Sequence, residues 1–354
     1  MGENAYSFGL ALVVSLLATP LVSKLAFKIG AVDRPDKRKV HSRLMPRLGG
    51  LAIYLGFMIA MFLRGGELAQ FAGLLIGGTI IVGIGVLDDI MDIPPRIKFL
   101  GQLTAAAVAV WLGVRVTVIT NPFGDPFQLP VWLGAVLTVL WIAGVTNAVN
   151  LIDGLDGLAG GLASIAAVTL AVVGWKAGNE VIVLPALILA ASTLGFLRYN
   201  FFPAKIFMGD SGSMFLGFAL ACLSVVGLAK TATVVSVFIP ILILGIPIFD
   251  TLFAIIRRYV NNQPIFKADK EHLHHRLLQI GLSHRQTVLV IYAVNLVLGA
   301  SAVWMTALAT DQAVMISVGL VVVIFFGADR IGVLRKKPAA GPKLQQDQSK
   351  NISA

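Results

Sequence analysis

Apolar runs dominate the chain, at about 5–27, 49–64, 70–87, 98–113, 131–149, 158–174, 181–197, 211–228, 232–256, 287–308 and 312–328. Most approach the roughly 20 residues that carry an α-helix across the hydrocarbon core of a bilayer, and β-barrel alternation is absent. Inside lipid each backbone N–H and C=O has to find its partner within the segment, so such runs become helices. The fold class is therefore all-α: a polytopic membrane protein with about eleven transmembrane helices. Composition agrees, because 13% of the 354 residues are charged where a soluble domain carries about 25%. The first run follows Met1-Gly-Glu3-Asn, which lacks the basic start of a secretory leader, and is expected to persist as a span. Cys222, the single cysteine, lies within an apolar run, so neither a disulfide frame nor a thiolate metal site is expected.

Charge supplies the orientation. Segments 28–48, 88–98, 150–157, 198–210, 257–286 and the chain beyond 328 fall on one side of the membrane. With Lys24 and Lys28 that side holds 24 of the 28 Lys and Arg, leaving Arg64, Arg115, Lys176 and Lys230 opposite. The positive-inside rule makes the rich side cytoplasmic, with the amino terminus outside and the carboxyl terminus inside. The net charge of +10 thus follows topology; no nucleic-acid motif accompanies it, and the basic residues are expected to meet anionic membrane lipids. Residues 1–328 form one transmembrane domain, and 329–354 a basic, disordered cytoplasmic tail. The outer segment 114–130, rich in β-branched residues before an Asn121-Pro-Phe-Gly-Asp125-Pro turn, predicts a small hairpin.

The acids respect the same asymmetry. Asp88, Asp89, Asp92, Asp153, Asp156 and Asp210 lie near cytoplasmic span ends and Asp250 deeper in the ninth span, whereas the outer segments hold scattered acids such as Glu67, Asp125, Glu180 and Asp311. A carboxylate at a helix centre in a bilayer costs about 2.5 to 3.5 kcal/mol, so the cluster belongs at the membrane edge or beside a partner. Asp88-Asp89-Ile-Met-Asp92 ends a span, and helical spacing predicts Asp88 and Asp92 on one face with Asp89 beside them. Crowded carboxylates need a cation or a raised pKa, and a helix carboxyl end is electrostatically the wrong place for them. Asn147-Ala-Val-Asn150-Leu-Ile-Asp153-Gly154-Leu-Asp156-Gly adds two amides suited to a metal or a nucleobase edge, with glycines that admit close approach but serve helix packing equally well.

Two further segments carry functional side chains. Arg198-Tyr-Asn200-Phe-Phe-Pro-Ala-Lys205-Ile-Phe207-Met-Gly209-Asp210-Ser-Gly runs an aromatic cluster into a span start, where Asp210 or Ser211 can cap the helix or the helix terminus can receive phosphate. His272-Leu-His274-His275-Arg276, with His284, holds four of the five His; the fifth, His41, is also cytoplasmic. No cysteine is at hand and the spacing fits no closed zinc site, so imidazole and guanidinium binding anionic oxygen is the better reading.

Such a set on one membrane face suggests a magnesium-dependent reaction of phosphates, in which Mg²⁺ takes one or two carboxylates plus phosphate oxygens and water. The run 147–161, the pair Asp88-Asp89, Phe207-Met-Gly-Asp210-Ser-Gly, Arg43-Leu-Met-Pro46-Arg47-Leu-Gly49-Gly50 and His272-Leu-His-His275 resemble, in order, the polyprenyl-phosphate N-acetylhexosamine-1-phosphate transferases over about residues 5–328. Within that family the chain looks like the TagO/WecA branch, which moves N-acetylglucosamine 1-phosphate from its UDP form to undecaprenyl phosphate and releases UMP. The resemblance implies Asp88 and Asp89 at the reacting centre and Asn150 with Asp210 on Mg²⁺ (or Mn²⁺). Asp153, Gly154, Asp156, Asn200 and Phe207 would form the nucleotide pocket, and Arg43, His272, His274, His275 and Arg276 would close on sugar and diphosphate. Asp92, Asn147 and Asp250 receive no role. The partners implied are a UDP-N-acetylhexosamine, undecaprenyl phosphate and membrane lipids, with room for a homodimer, in the bacterial cytoplasmic membrane.

The His-Leu-His-His-Arg order departs from the three consecutive His of the branch that transfers muramoyl-pentapeptide phosphate, and Asp92 completes a D-D-x-x-D form like that of TagO/WecA. Both details favour UDP-N-acetylglucosamine, for a glycopolymer such as wall teichoic acid, over UDP-MurNAc-pentapeptide. A secondary transporter would bind its cargo near the midplane, and an intramembrane aspartyl protease needs two Asp sharing a proton within the membrane; neither suits charged residues crowded on one face.

Overall fold

A computed structural model describes residues 2–34, 44–64, 68–119, 127–228, 238–264, 272–308 and 310–330. Thirteen α-helices run through these residues. They are α1 (Gly2–Ile29), α2 (Gly50–Leu63), α3 (Ala72–Met91), α4 (Pro95–Trp111), α5 (Val131–Ile152), α6 (Leu158–Lys176), α7 (Glu180–Asn200), α8 (Gly209–Leu228), α9 (Phe238–Ile243), α10 (Gly245–Val260), α11 (Leu273–Gln279), α12 (His284–Met305) and α13 (Thr310–Arg330). Among the described residues seven helical stretches are long and apolar enough to cross a membrane: Ala5–Ile29, Ala69–Met91, Val131–Ile152, Leu158–Lys176, Glu180–Asn200, Gly209–Gly227 and His284–Met305. Gly50–Leu63 and Gln312–Gly327 are shorter apolar helices. Large apolar side chains such as Leu17, Leu21, Leu140, Val297 and Phe326 stand exposed, as suits surfaces solvated by lipid tails. The protein is an all-α, multi-pass membrane protein.

The bundle is organised around α8, which packs against α3 and α5 and also touches α2, α6 and α7, while α1 and α7 flank α2. Phe215 and Phe218 of α8 are fully buried, and Phe215 meets Tyr54 and Phe57 of α2 edge-on at 5.5 and 5.6 Å. The amino end of α8 therefore lies at the centre of one face of the bundle.

Three departures from the sequence reading matter for function. First, α3 runs to Met91 and α5 to Ile152, so Asp88, Asp89 and Asn150 stand on helices and not in the connections. Asp92 does not continue the helical face of Asp88: it is the α3 cap residue, with left-handed φ of 48° and its N–H donating to the Asp88 carbonyl at 2.9 Å. Second, the ninth run breaks between α9 and α10, because Pro247 has no N–H to offer the Ile243 carbonyl and its ring disfavours a continuous helix. Third, the segment after α10 contains the short helix α11, which carries His274 and His275 and has His272 at its N-cap.

Two small antiparallel pairs complete the described fold. Val118 and Ile119 pair with Gln128 and Phe127, where the hairpin was expected, and the turn residues 120–126 lie outside the described residues. Val32 and Asp33 pair with Pro46 and Met45, a ribbon that the sequence did not announce. It aligns residues 46–50 beside 207–208: the Phe207 N–H donates to the Pro46 carbonyl at 2.8 Å, and those of Gly49 and Gly50 to the Phe207 and Met208 carbonyls at 3.0 and 2.8 Å. Of the expected tail 329–354, Asp329 and Arg330 end α13, and residues 331–354 lie outside the described residues.

Candidate active site

The carboxyl end of α3 meets the amino end of α8. Asp89 is 3% exposed, and its carboxylate accepts from the Asp210 N–H at 2.8 Å, the Ser211 N–H at 3.1 Å and the Ser211 hydroxyl at 2.7 Å. A negative charge on unpaired N–H groups at a helix amino terminus is the favourable placement, here supplied across helices. Gly209 makes the contact possible. Its φ is +72°, and a Cβ there would lie 2.5 Å from the Asp89 carboxylate.

With its acceptors engaged, Asp89 holds α8, and Asp88 is the acid of the pair that faces the site. Asp88 Oδ2 lies 3.6 Å from the Lys98 ammonium, which is also ion-paired with Asp210 Oδ2. Asp210 Oδ1 accepts from the Asn150 amide at 3.1 Å, and that amide donates to Ser213 Oγ at 2.8 Å. Asp88, Lys98, Asp210 and Asn150 thus form one cluster contributed by α3, α4, α8 and α5.

Arg47 explains how α3 tolerates acids at its carboxyl end. Its guanidinium donates to the Asp89 carbonyl at 2.9 Å, the Asp88 carbonyl at 3.0 Å and the Asp92 carboxylate, covering the end of the helix dipole with positive charge. Asp92 is thereby a partner of Arg47. Asn147 is not part of the cluster: its amide donates to the Ala143 carbonyl at 2.9 Å and to Gln102 Oε1, tying α5 to α4.

A second wall comes from the α5–α6 turn and residues 200–208. Asp156 Oδ2 accepts from the Ala204 N–H at 2.9 Å. Asn200, 3% exposed, accepts from the Gly157 N–H at 3.1 Å and donates to the Ile206 carbonyl at 3.0 Å. Both polar ends of Asn200 therefore join protein backbone, so it shapes this wall; the expected pairing with a base edge would need those bonds to open. The Tyr292 hydroxyl, from α12, donates to the Gly157 carbonyl. Asp153, in the same turn, is pushed up to about 7, first by burial and then by the negative charges of Asp89 and Asp156. Phe207 is partly exposed, with its backbone held by Pro46 and Gly49.

The histidines form the third wall. His272 Nδ1 lies 2.8 Å from Asp250 Oδ2, and the Leu273 N–H donates to Asp250 Oδ1 at 2.8 Å. The rings of His272 and His274 are parallel, 2° apart in plane with centroids at 6.0 Å, and those of His274 and His275 are 4.2 Å apart. His274 is buried, yet among the described residues neither ring nitrogen has a hydrogen-bond partner. Burial, then the neighbouring His275, lowers its pKa to about 3, so it is neutral at physiological pH. Its Nε2 abuts the α5–α6 turn, where a Cβ on Gly154 would lie 2.5 Å from it. Arg276 follows in the last turn of α11, while Arg43 lies outside the described residues.

The donor set bears on a metal. Two carboxylates, Asp88 and Asp210, converge on one cationic group, with the Asn150 carbonyl beside them, and an all-oxygen set of that size suits Mg²⁺ completed by phosphate and water. Among the described residues no three His, Cys, Asp or Glu form a closed cage. Lys98 and Arg47 escaped the sequence reading. Lys98 follows Pro94-Pro95-Arg at a helix start, where a cation reads as membrane orientation, and Arg47 lay in a motif without a role of its own.

Comparison with known proteins gives the family. The Glycosyl transferase family 4 description matches residues 71–228, which carry the acids, amides and α8. A Bacillus subtilis (strain 168) protein named "Probable undecaprenyl-phosphate N-acetylglucosaminyl 1-phosphate transferase" is 46% identical over 334 residues, covering 94% of this chain and 93% of the relative. A Mycobacterium leprae decaprenyl-phosphate N-acetylglucosaminephosphotransferase is 39% identical over 312 residues, 80% of this chain and 78% of the relative. A Thermotoga maritima undecaprenyl-phosphate alpha-N-acetylglucosaminyl 1-phosphate transferase is 32% identical over 263 residues, 74% and 78% of the two chains. The chain belongs to the TagO/WecA-like family of polyprenyl-phosphate N-acetylhexosamine-1-phosphate transferases, glycosyl-1-phosphate transferases of the bacterial membrane.

Proposed function

We propose that this protein transfers N-acetylglucosamine 1-phosphate from UDP-N-acetylglucosamine to undecaprenyl phosphate and releases UMP, as the first membrane step of a cell-envelope glycopolymer such as wall teichoic acid. The observation that carries the reading is the Lys98 ammonium set between Asp88 and Asp210, beside Asn150. The reaction joins a lipid phosphate oxygen to the β-phosphorus of the donor and breaks that phosphorus's bond to the bridging oxygen, which leaves on UMP. Two phosphates repel as they approach, so the catalyst has to neutralise and align them; little covalent work is required.

The residues divide that labour. Lys98 lies where it can swing from the carboxylates to the diphosphate oxygens, and Asp88 can hold or accept the lipid phosphate proton. Asp210 and Asn150, with Asp88, would hold Mg²⁺, which when bound shields the phosphate charge and polarises the phosphorus–oxygen bonds. Asp153, Asp156 and Phe207 would receive the uridine. His274, neutral and with both nitrogens unpaired among the described residues, can donate to the sugar or diphosphate, beside His272, His275, Arg276 and Arg43. The site would face the cytoplasm, at the end of about eleven spans with the amino terminus outside, a reading that the charge asymmetry supports.

The test supplies undecaprenyl phosphate with UDP-N-acetylglucosamine, UDP-N-acetylgalactosamine or UDP-MurNAc-pentapeptide and reads UMP. Release with the first donor, abolished by chelator and by Asp210→Asn, is expected. Metal-independent release, or preference for the pentapeptide donor, would overturn the reading.

A further inference from the structure

Asp250 is a carboxylic acid inside an apolar helix, and its hydrogen bonds among the described residues go to His272 and Leu273. It is 4% exposed, and beside it a cavity of about 300 Å³ is lined by apolar side chains including Phe249, Phe253, Leu277 and Val294. Such surroundings penalise an unpaired carboxylate by several kcal/mol. Its contacts show what compensates: one oxygen meets His272 Nδ1 and the other receives the Leu273 N–H, both at 2.8 Å. Asp250 lies just past the break before α10, within the second turn of that helix.

We infer that Asp250 is a positioning residue that fixes the ring orientation and tautomer of His272, and through the parallel ring of His274 sets the histidines against the Gly154 turn. A carboxylate that accepts the Nδ1 proton leaves Nε2 to face a ligand, and such partners of functional histidines govern both tautomer and aim. The path is continuous. Asp250 holds His272, the His272 ring lies 6.0 Å from that of His274, and His274 Nε2 meets Gly154. A purely structural anchor would need only the bond to Leu273 N–H; the second bond, to an imidazole, is the one that bears on chemistry. The inference rests on the transferase reading for its kinetic consequence but not for its spectroscopic one.

The test uses the full chain in nanodiscs with ¹⁵N-labelled histidine. The wild type should show one imidazole with protonated Nδ1 whose signal is lost in His272→Gln and shifts toward the mixed tautomer in Asp250→Asn. In steady-state assays Asp250→Asn should lower kcat about 10- to 100-fold with a much smaller change in donor KM. Adding Asp250→Asn to His272→Gln should cost little more than His272→Gln alone. Asp250→Glu, which keeps the charge, should recover part of the loss, and it carries the comparison if Asp250→Asn does not accumulate as folded protein. An unchanged His272 tautomer, or losses that multiply in the double variant, would overturn the inference. Absence of UMP release by the wild type would sink the transferase reading instead, leaving the tautomer measurement to decide this one.

Discussion

The Asp89 carboxylate binds the backbone N–H of Asp210 at 2.8 Å across 121 residues of sequence, while its neighbour Asp88 faces Lys98. Two adjacent acids thus do different work. Asp89→Asn keeps one acceptor but turns an amide donor toward the N–H groups of α8, so it should cost about 1 to 2 kcal/mol of stability and displace Asp210. Asp88→Asn should leave the unfolding temperature nearly unchanged and abolish UMP release. Thermal unfolding and turnover of both variants check this, and equal destabilisation by the two would refute the division.

Lys98 is expected to matter twice. Lys98→Met removes the cation between Asp88 and Asp210 and should lower kcat about 100-fold or more, the scale on which a preorganised charge partner at a reacting phosphate acts. The same change frees two carboxylates from a competing ammonium, so half-saturation by Mg²⁺ should move to lower concentration. Turnover measured across a Mg²⁺ titration separates the two effects. A higher Mg²⁺ requirement in Lys98→Met would mean that the lysine does not share the carboxylates with the metal.

Much of this site was legible in the sequence because membrane topology sorts charge. Once the basic residues marked one face, the acids, amides and histidines had to meet there, and the motif order identified the family. The division of roles was not legible. Asp88 and Asp89 differ only in which helix lies opposite each, and hydrogen bonds such as Asp89 to Ser211 leave no local pattern. Asn147 and Asn150 are likewise three residues apart, nearly a turn, and yet one ties α5 to Gln102 and the other holds Asp210. The break at Pro247 stood in the sequence as a proline within an apolar run, but its consequence, an acid aimed at His272, depends on packing.

Gly154 offers a steric test of the histidine wall. Its Cβ would sit 2.5 Å from His274 Nε2, so Gly154→Ala should push α11 away, at about 1 to 3 kcal/mol of strain, and raise the donor KM at least tenfold. Gly144→Ala, in α5 with nothing within 4 Å of the added carbon, should leave activity unchanged. Parallel donor titrations of the two variants make the comparison. Wild-type kinetics in Gly154→Ala would show that His274 does not depend on this contact.

The turn at Asp153 predicts a stability that changes with pH in a stated direction. Its carboxyl is pushed up to about 7 in the fold from 3.8 ordinarily, first by desolvation and then by the negative charges of Asp89 and Asp156. Between those values the folded chain holds a proton that the unfolded chain has lost, so this contribution is complete below about 3.8 and is lost as pH rises through 7. His274 acts oppositely: its pKa, lowered from 6.5 to about 3, makes the fold bind fewer protons, so its contribution is complete above 6.5 and lost as pH falls toward 3. Asp153→Asn should therefore unfold at a higher temperature than wild type at pH 8, and the gap should close by about pH 4, while the acid-side decline due to His274 persists in both proteins. Unfolding temperatures of the two proteins across that range check the sign. A wild type as stable as Asp153→Asn at pH 8 would mean that the carboxylate is already compensated, and that Asp153 meets a positive partner when ionised.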